Sequence, residues 1–502
     1  MRESRFTRPA RIVLLVAVAA LAVQALALDY VVDDAYISMR YARNLVEGHG
    51  LVYNAGGERV EGYTNLLWTL LLAAAIACRL DPVLVARLVG IAAGVGVLIL
   101  ADRLARRDGL GSWSVLAPVF LAVNPALVTW SSGGLETTAF TLFVVSGAIL
   151  LCREGSGTAA GVMLALGCLT RPEGILVAAL VGAGAWFASG RAALRRVLAM
   201  GLVVGATVLA HETWRLAYYG AWLPNTFYAK TGDLGAQVRA GAQYLGTPLA
   251  FFAGGPLLLA LIAHGLARRT PISSVAAVML AGWTLYVGVI GGDGLPMFRF
   301  LVPALPFLAI LIVSALDRIR RTTPGGANYL AGVGLLMTIL PGFLGYQSDY
   351  REWDARIFVP KVVRVGKSLR ELLGADASIA LMPVGAIPYY SGLRTLDMLA
   401  LNDPIVARKK MRFTTALPGH WKYDAASILA RRPDYILLGN VDVTAAPRTA
   451  APLAFAVEQD MARLPQFQRD YRPVSFPLPG GDWLNCYRRA DLAPPAGART
   501  PG

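Results

Sequence analysis

Charge is scarce in this chain. Only 16% of the 502 residues are Asp, Glu, Lys or Arg, against about a quarter in ordinary soluble proteins, which excludes a soluble enzyme of this length. Cysteine and histidine are scarcer still, four of each. Cys78, Cys152 and Cys168 lie in apolar stretches and Cys486 stands alone in a polar one. Neither a disulfide framework nor a cysteine-type metal site can be drawn from them. His49, His211, His264 and His420 are too scattered to suggest a histidine metal site. No short repeat runs through the chain, and its apolar content excludes a disordered or collagen-like polymer. Acids are outnumbered 47 to 32, a net charge of +15. Nucleic acid is nevertheless not the implied partner, because the arginines sit in short tracts between apolar runs, the positive-inside pattern of a polytopic membrane protein. What is abundant is apolar surface: 56% hydrophobic residues and a mean hydropathy of +0.52. The bilayer is the solvent for most of this chain.

A membrane span takes about 20 apolar residues. Residues 12–28, 83–101, 113–129, 138–152, 158–170, 175–189, 197–213, 247–267, 272–290, 300–316 and 327–344 are candidates, about eleven in all. Ala25, Leu26 and Ala27 resemble a signal-peptidase site, but the many later spans favour an uncleaved first helix starting from the cytoplasm. With that orientation Arg103/Arg106/Arg107, Arg153, Arg191/Arg195/Arg196, Arg268/Arg269 and Arg318/Arg320/Arg321 all fall inside. The acidic stretches fall outside, and so does the C terminus. Residues 65–78 are apolar but short, and read as a helix at the outer interface or dipping back, anchored by Trp68. From residue 345 charges and prolines return. Residues 378–382, 394–398 and 435–438 read as strands and 360–373 as an amphipathic helix. The expected fold is therefore a polytopic α-helical membrane protein, residues 1–344, carrying an extracytoplasmic α/β domain, 345–492. Residues 493–502, rich in Pro, Ala and Gly, are expected to be disordered.

The first outer loop, 29–64, is dense in carboxylates, aromatics and glycines. Asp33 and Asp34 precede a helical pattern at 36–46, where one of them suffices as N-cap. Adjacent acids repel, so the second asks for another role, and both are catalytic candidates. Further polar groups recur at the same expected face: Arg40, Glu61, Tyr63 and Asn65, then Glu136, Arg171 with Glu173, Asn225, Lys230, and Asp293 with Arg299. Charged groups near helix ends avoid lipid and face protein, water or headgroups. Their repetition in successive outer loops favours a shared cavity.

These motifs resemble the GT-C membrane glycosyltransferases, and within them the group of terminal arabinofuranosyltransferases of mycobacterial arabinan. The resemblance rests on D-D-A-Y-I-S-M-R-Y-A-R-N-L at 33–45, G-H-G-L-V-Y-N at 48–54 and E-R-V-E-G-Y-T-N-L-L-W at 58–68. It continues in T-R-P-E-G at 170–174, L-P-N-T-F-Y-A-K at 223–230 and G-G-D at 291–293 with Arg299. P-G-H-W-K-Y-D at 418–424 is similar to a loop of the outer domain in that group, which makes His420 an acceptor-binding candidate. The resemblance implies a sugar donor on a polyprenyl phosphate and a glycan, lipid or surface-protein acceptor at the outer face of a bacterial inner membrane. It also implies a first-loop carboxylate as acid–base group, Asp33 slightly ahead of Asp34.

A positioned carboxylate that takes a sugar hydroxyl's proton is worth roughly 10²–10⁴-fold. The departing phosphate calls for cations, for which Arg299, Arg171 and Lys230 are the candidates, with Arg40 behind them. Trp68, Tyr63 and Tyr228 are candidates for stacking on sugar faces. Asp33, Asp34 and Asp293 are the oxygen ligands available should a divalent cation, Mg²⁺, Mn²⁺ or Ca²⁺, take part. The competing reading is a flippase for lipid-linked sugars. It needs polar groups through the whole membrane depth or broken internal repeats, and the polar groups here concentrate at one face.

Overall fold

The structure is a computed structural model and describes residues 8–153, 155–251, 262–263, 270–343, 348–410, 421–495 and 497–500. Helices occupy the expected spans that fall on these residues. They include Arg8–Leu28, Pro82–Arg107, Thr137–Leu151, Gly157–Thr170, Gly174–Ser189, Leu194–Tyr219, Pro271–Ile290, Leu305–Thr322 and Pro324–Phe343. Most of the expected span 247–267 lies outside the described residues.

The count of eleven full crossings meets a geometric limit. Among the described residues five helical runs are long and apolar enough to cross a bilayer, and a sixth arises if a bent pair is one span. That pair, Gly111–Ala122 and Pro125–Ser132, turns by 63° where Asn124 caps the second helix and Pro125 starts it. Thr137–Leu151 and Gly157–Thr170 are 15 and 14 residues long, about 21–23 Å at 1.5 Å per residue, short of the ~30 Å hydrocarbon core. One of the five runs, Gly174–Tyr219, holds 46 residues, more than twice what a bilayer needs. It holds two helices, Gly174–Ser189 and Leu194–Tyr219, joined by the turn Gly190–Ala193. A Cβ on Gly157 would meet the Arg196 carbonyl at 2.6 Å, and one on Gly161 the Met200 carbonyl at 2.9 Å. Gly157–Thr170 and Leu194–Tyr219 thus run side by side in one direction, and Gly174–Ser189 returns between them. Small residues permit this close approach of membrane helices.

The first loop does not dangle. Ala35–Val46 buries most of its residues and packs against Leu66–Ala77, which buries Trp68, Thr69, Leu72, Ala73 and Ala75. Trp68 is buried and donates from Nε1 to the Gly134 carbonyl at 3.1 Å, so it is an internal strut and not the interfacial anchor expected.

Beyond residue 348 the chain forms helix Val359–Leu373 and a six-stranded mixed sheet, strands β1 Ser378–Leu381, β2 Arg394–Asp397, β3 Tyr435–Ile436, β4 Asp442–Thr444, β5 Tyr471–Pro477 and β6 Trp483–Arg489. β1 pairs in parallel with β2 and β3. β6 pairs antiparallel with β3 and β4 end to end along one edge and with β5 along the other. The two-residue alternation of a strand sends Ile379 and Leu381 into the main core with Val362 and Leu369, and Ala380 and Met382 into a second core with Ile428 and Met461. The expected strands at 378–382, 394–398 and 435–438 are β1 to β3. The tail expected to be disordered is tied down at Arg499, which exchanges two backbone hydrogen bonds of 2.9 Å with Ser475 of β5.

Candidate active site

The first loop is clamped between the membrane helices and residues 384–402. Asp34 occupies the N-cap position of Ala35–Val46, yet its side chain makes no capping bond. Asp33 caps a different helix. Its Oδ1 accepts from the Ala386 amide at 2.8 Å and its Oδ2 from the Gly385 amide at 3.0 Å, at the start of Ala386–Ser391. Only glycine fits beside it: a Cβ on residue 385 would sit 1.9 Å from the Asp33 carbonyl oxygen. Burial pushes the Asp33 carboxyl up to about 7, the amide bonds opposing it and the Asp34 charge assisting.

Asp34 is half-buried, and among the described residues no hydrogen bond or ion pair engages its carboxylate. Its charge is felt at Asp33, Tyr30, Lys230, Tyr350 and Asp354, which defines its surroundings. Lys230 closes the short helix Asn225–Lys230. Burial lowers the pKa of its ammonium, Arg299 adds to that, and Asp293 and Asp34 oppose it. Arg299 forms a bidentate pair with Asp293, Nε–Oδ2 2.7 Å and Nη2–Oδ1 3.1 Å, and lies over the rings of Phe300 and Trp130. The two residues before it, Met297 and Phe298, both take left-handed backbone, φ 59° and 48°. Such conformations cost about 1–3 kcal/mol each and gather at functional sites.

A second buried network borders this group. Arg171 stands in extended backbone just past Gly157–Thr170 and faces Glu136 at 3.4 Å and Glu173 at 3.4 Å. Glu136 accepts from Asn65 Nδ2 at 2.8 Å, and Asn65 Oδ1 accepts from Ser38 and Thr69, each at 3.0 Å. Tyr286 donates to Glu173 at 3.1 Å. Arg171 also perturbs Lys230 electrostatically. Asp34, Asn65, Glu136, Arg171, Glu173, Lys230, Asp293 and Arg299 are therefore brought together.

The remaining candidates are not part of that group. Arg40 is buried and donates to the carbonyls of Tyr53 (2.5 Å), Leu393 (2.8 Å) and Pro388 and to Asn54 Oδ1 (2.9 Å). It fastens the loop to the C-terminal segment with four of its five N–H donors. Asn225 donates to the Ala400 and Leu401 carbonyls at 2.9 and 2.8 Å. The Tyr63 hydroxyl lies 3.1 Å from that of Tyr219, and its ring meets Tyr41 edge-on. Glu61 is paired with Arg215, Nε–Oε2 2.7 Å, which also contacts Glu212. A single cavity for all the candidates is thus corrected to two groups, one electrostatic and one structural. His420 lies outside the described residues. Nor do Asp33, Asp34 and Asp293 form an oxygen cage: Asp33 is held by amides and Asp293 by Arg299, and among the described residues no three His, Cys, Asp or Glu side chains group as a metal site.

Two residues escaped the sequence reading. Arg215 sits in the last turns of Leu194–Tyr219, just past the expected span 197–213, where no motif marks it. Asp354 lies in the charged stretch S-D-Y-R-E-W-D, where nothing sets it apart from a solvated face. In the structure it is buried, starts the π-helical turn Asp354–Phe358, accepts from the Tyr30 hydroxyl at 2.8 Å, and is pushed up to about 6 by burial, the Tyr30 bond opposing and the Asp34 charge adding. Single π-turns often mark functional sites.

Comparison with known proteins agrees with this architecture. Residues 342–491 match a family described as a domain of unknown function (DUF8728). The chain is 31% identical over 276 residues to the terminal beta-(1->2)-arabinofuranosyltransferase of Mycobacterium tuberculosis, covering 48% of this chain and 42% of that one. It is 28% identical over 351 residues to the protein of the same name from Corynebacterium glutamicum, covering 58% and 49%. The matches thus span under half the length of each relative. Among solved structures, ArnT from Cupriavidus metallidurans in the apo state superposes with a TM-score of 0.57 at 12% identity, covering 96% of this chain and 98% of that one. The Archaeoglobus fulgidus oligosaccharyltransferase in the apo form gives 0.57 at 12% identity, covering 97% and 75%. The chain is a multi-pass membrane protein with the GT-C fold, related in sequence to the terminal arabinofuranosyltransferases.

Proposed function

We propose that this protein is a glycosyltransferase of the extracytoplasmic face of a bacterial inner membrane. It moves a sugar, arabinofuranose foremost, from a polyprenyl-phosphate donor to a glycan, lipid or surface-protein acceptor of the cell envelope. Segment 345–492 is the outer domain of this reading. The observation that carries it is the Asp34 carboxylate, unengaged and half-buried beside Lys230 and the Arg299–Asp293 pair. The names of the sequence relatives supply the sugar. The carrier is supported by fold neighbours described in complex with undecaprenyl phosphate and with a dolichol-phosphate.

In this mechanism Asp34 is the base and Asp33 its positioning neighbour. Asp34 takes the proton of the acceptor hydroxyl as that oxygen bonds to the anomeric carbon. The anomeric carbon–oxygen bond to phosphate breaks, and the polyprenyl phosphate leaves with the electron pair. Among the described residues Lys230 has no carboxylate within ion-pair distance, whereas Arg171 and Arg299 are already paired. Lys230 is therefore the cation with charge to spare for the leaving phosphate, and the paired arginines shape the field around it. Replacing Asp34 with Asn tests the assignment: transfer falls by about 10²–10⁴-fold with membrane insertion intact, and an equally active variant removes Asp34 from the chemistry.

A further inference from the structure

Beside the reaction centre, on the far side of helix Asn225–Lys230, lies an open cavity of about 800 Å³. One wall is the turn that follows Leu194–Tyr219, and the other belongs to the C-terminal segment. Its lining includes Trp222, Tyr228, Arg408, Lys409, Lys410 and Lys422. Their charges are not equivalent. Lys409 is paired with Asp424. Lys422 is buried and donates to the Tyr228 carbonyl at 2.7 Å and the Ala407 carbonyl at 2.9 Å, so it pins one wall to the other. Arg408 lies over the Tyr228 ring at 5.4 Å and is otherwise exposed; Lys410 is exposed, and among the described residues neither has a carboxylate partner. The one acidic residue of the lining, Asp233, accepts from the Ala236 amide.

Trp222, which lines the cavity, is 67% exposed, immediately after a membrane helix ends at Tyr219, and Leu223 and Phe227, close to it in sequence, are exposed as well. Exposed Trp and Phe at the end of a span sit at headgroup depth. Cations at that depth meet lipid phosphates, each worth about 1 kcal/mol. The site is thus cationic inside, aromatic at its lip and level with the headgroups.

We propose that this cavity is a docking site for the phosphate of the polyprenyl carrier, outside the reaction centre, with Arg408 and Lys410 as its ligands. The inference rests on the glycosyltransferase reading. The wall it shares with that centre is the helix whose last residue is Lys230, so a phosphate held here is one helix away from the cation proposed to receive it. Charge complementarity selects the headgroup, and the exposed Trp222, Leu223 and Phe227 are suited to the first isoprene units.

The test uses the full-length protein in phosphatidylcholine nanodiscs, with Arg408→Gln and Lys410→Gln. Each variant is expected to raise the donor KM about fivefold while kcat stays within twofold and the unfolding midpoint holds. Farnesyl phosphate, a short carrier, should compete with donor and lose affinity in parallel in the variants. An unchanged KM, or a fall confined to kcat, overturns the proposal. So does a variant effect that appears only when phosphatidylglycerol is included, which assigns the cations to bulk bilayer lipid. Farnesyl phosphate binding is also measured in Asp34→Asn. If the unmodified protein transfers from no donor the glycosyltransferase reading fails, and if Asp34→Asn transfers normally only the Asp34 assignment fails, whereas a dead variant whose binding still depends on Lys410 leaves both standing.

Discussion

Asp33 has both carboxylate oxygens on the amides of Gly385 and Ala386, whereas its neighbour Asp34 has neither oxygen engaged within the described residues. A base has to be free to receive a proton, and a strut has to be held. Asp33→Ala leaves two buried amides without acceptors, at about 1–3 kcal/mol each, and is expected to lower the unfolding midpoint of the purified protein, while Asp34→Ala leaves it unchanged. The pH dependence follows from burial. Burial raises Asp33 to about 7 and Asp354 to about 6, from an ordinary aspartate value of 3.8. A carboxyl raised on folding binds more protons in the native state than in the unfolded one, so its contribution is full below about pH 4 and lost as pH rises through 6–7. Thermal stability should decline across that window, and Asp33→Asn should flatten the decline. An identical pH profile in the variant contradicts the assignment. Glu61 offers a second residue-level check. Arg215→Ala strands a buried carboxylate, which costs about 3–5 kcal/mol, and the double variant Glu61→Gln/Arg215→Ala should recover much of it.

At the level of elements, the contact between helix Ala35–Val46 and the short helix Ala386–Ser391 decides whether Asp34 is aimed. Gly385 is the hinge of that contact because the Asp33 backbone lies where a side chain would go. Gly385→Ala is expected to destabilise by about 1–3 kcal/mol through overpacking and to lower transfer without touching any group that meets substrate. Normal stability together with normal transfer would show that the clamp does not position the loop. Much of this scale was legible beforehand. The amphipathic pattern after Asp34 marked its helix, and alternation marked β1 to β3. The repeated polar groups after successive spans pointed to a shared face, and the structure links Asn65, Glu136, Arg171 and Glu173 there. The role of Arg40 was not legible, because its partners Pro388 and Leu393 are some 350 residues away and carbonyls leave no trace in side-chain pattern. β5 and β6 were missed for a related reason: their alternation is interrupted by Pro473 and by the arginines at 488 and 489.

For the whole molecule, the arginine tracts and the outer acids set an orientation that the first loop depends on. Asp33 and Asp34 must share a side of the membrane with Gly385, since they touch it or border it. Segment 345–492 and the first loop therefore stand on one face, and a reporter active only in the cytoplasm should be silent when fused at the C terminus. A signal there would reverse the proposed face of the reaction. In the proposed reaction the donor and the acceptor meet at this junction, where the acid-dense loop is enclosed on both sides. The most direct measurement is transfer by the purified protein from polyprenyl-phosphate arabinofuranose, mannose and glucose to a crude envelope extract, with Asp34→Asn alongside. Transfer from one of these donors, lost in the variant, is the predicted result. No transfer from any donor that still binds, or equal transfer by the variant, would contradict it.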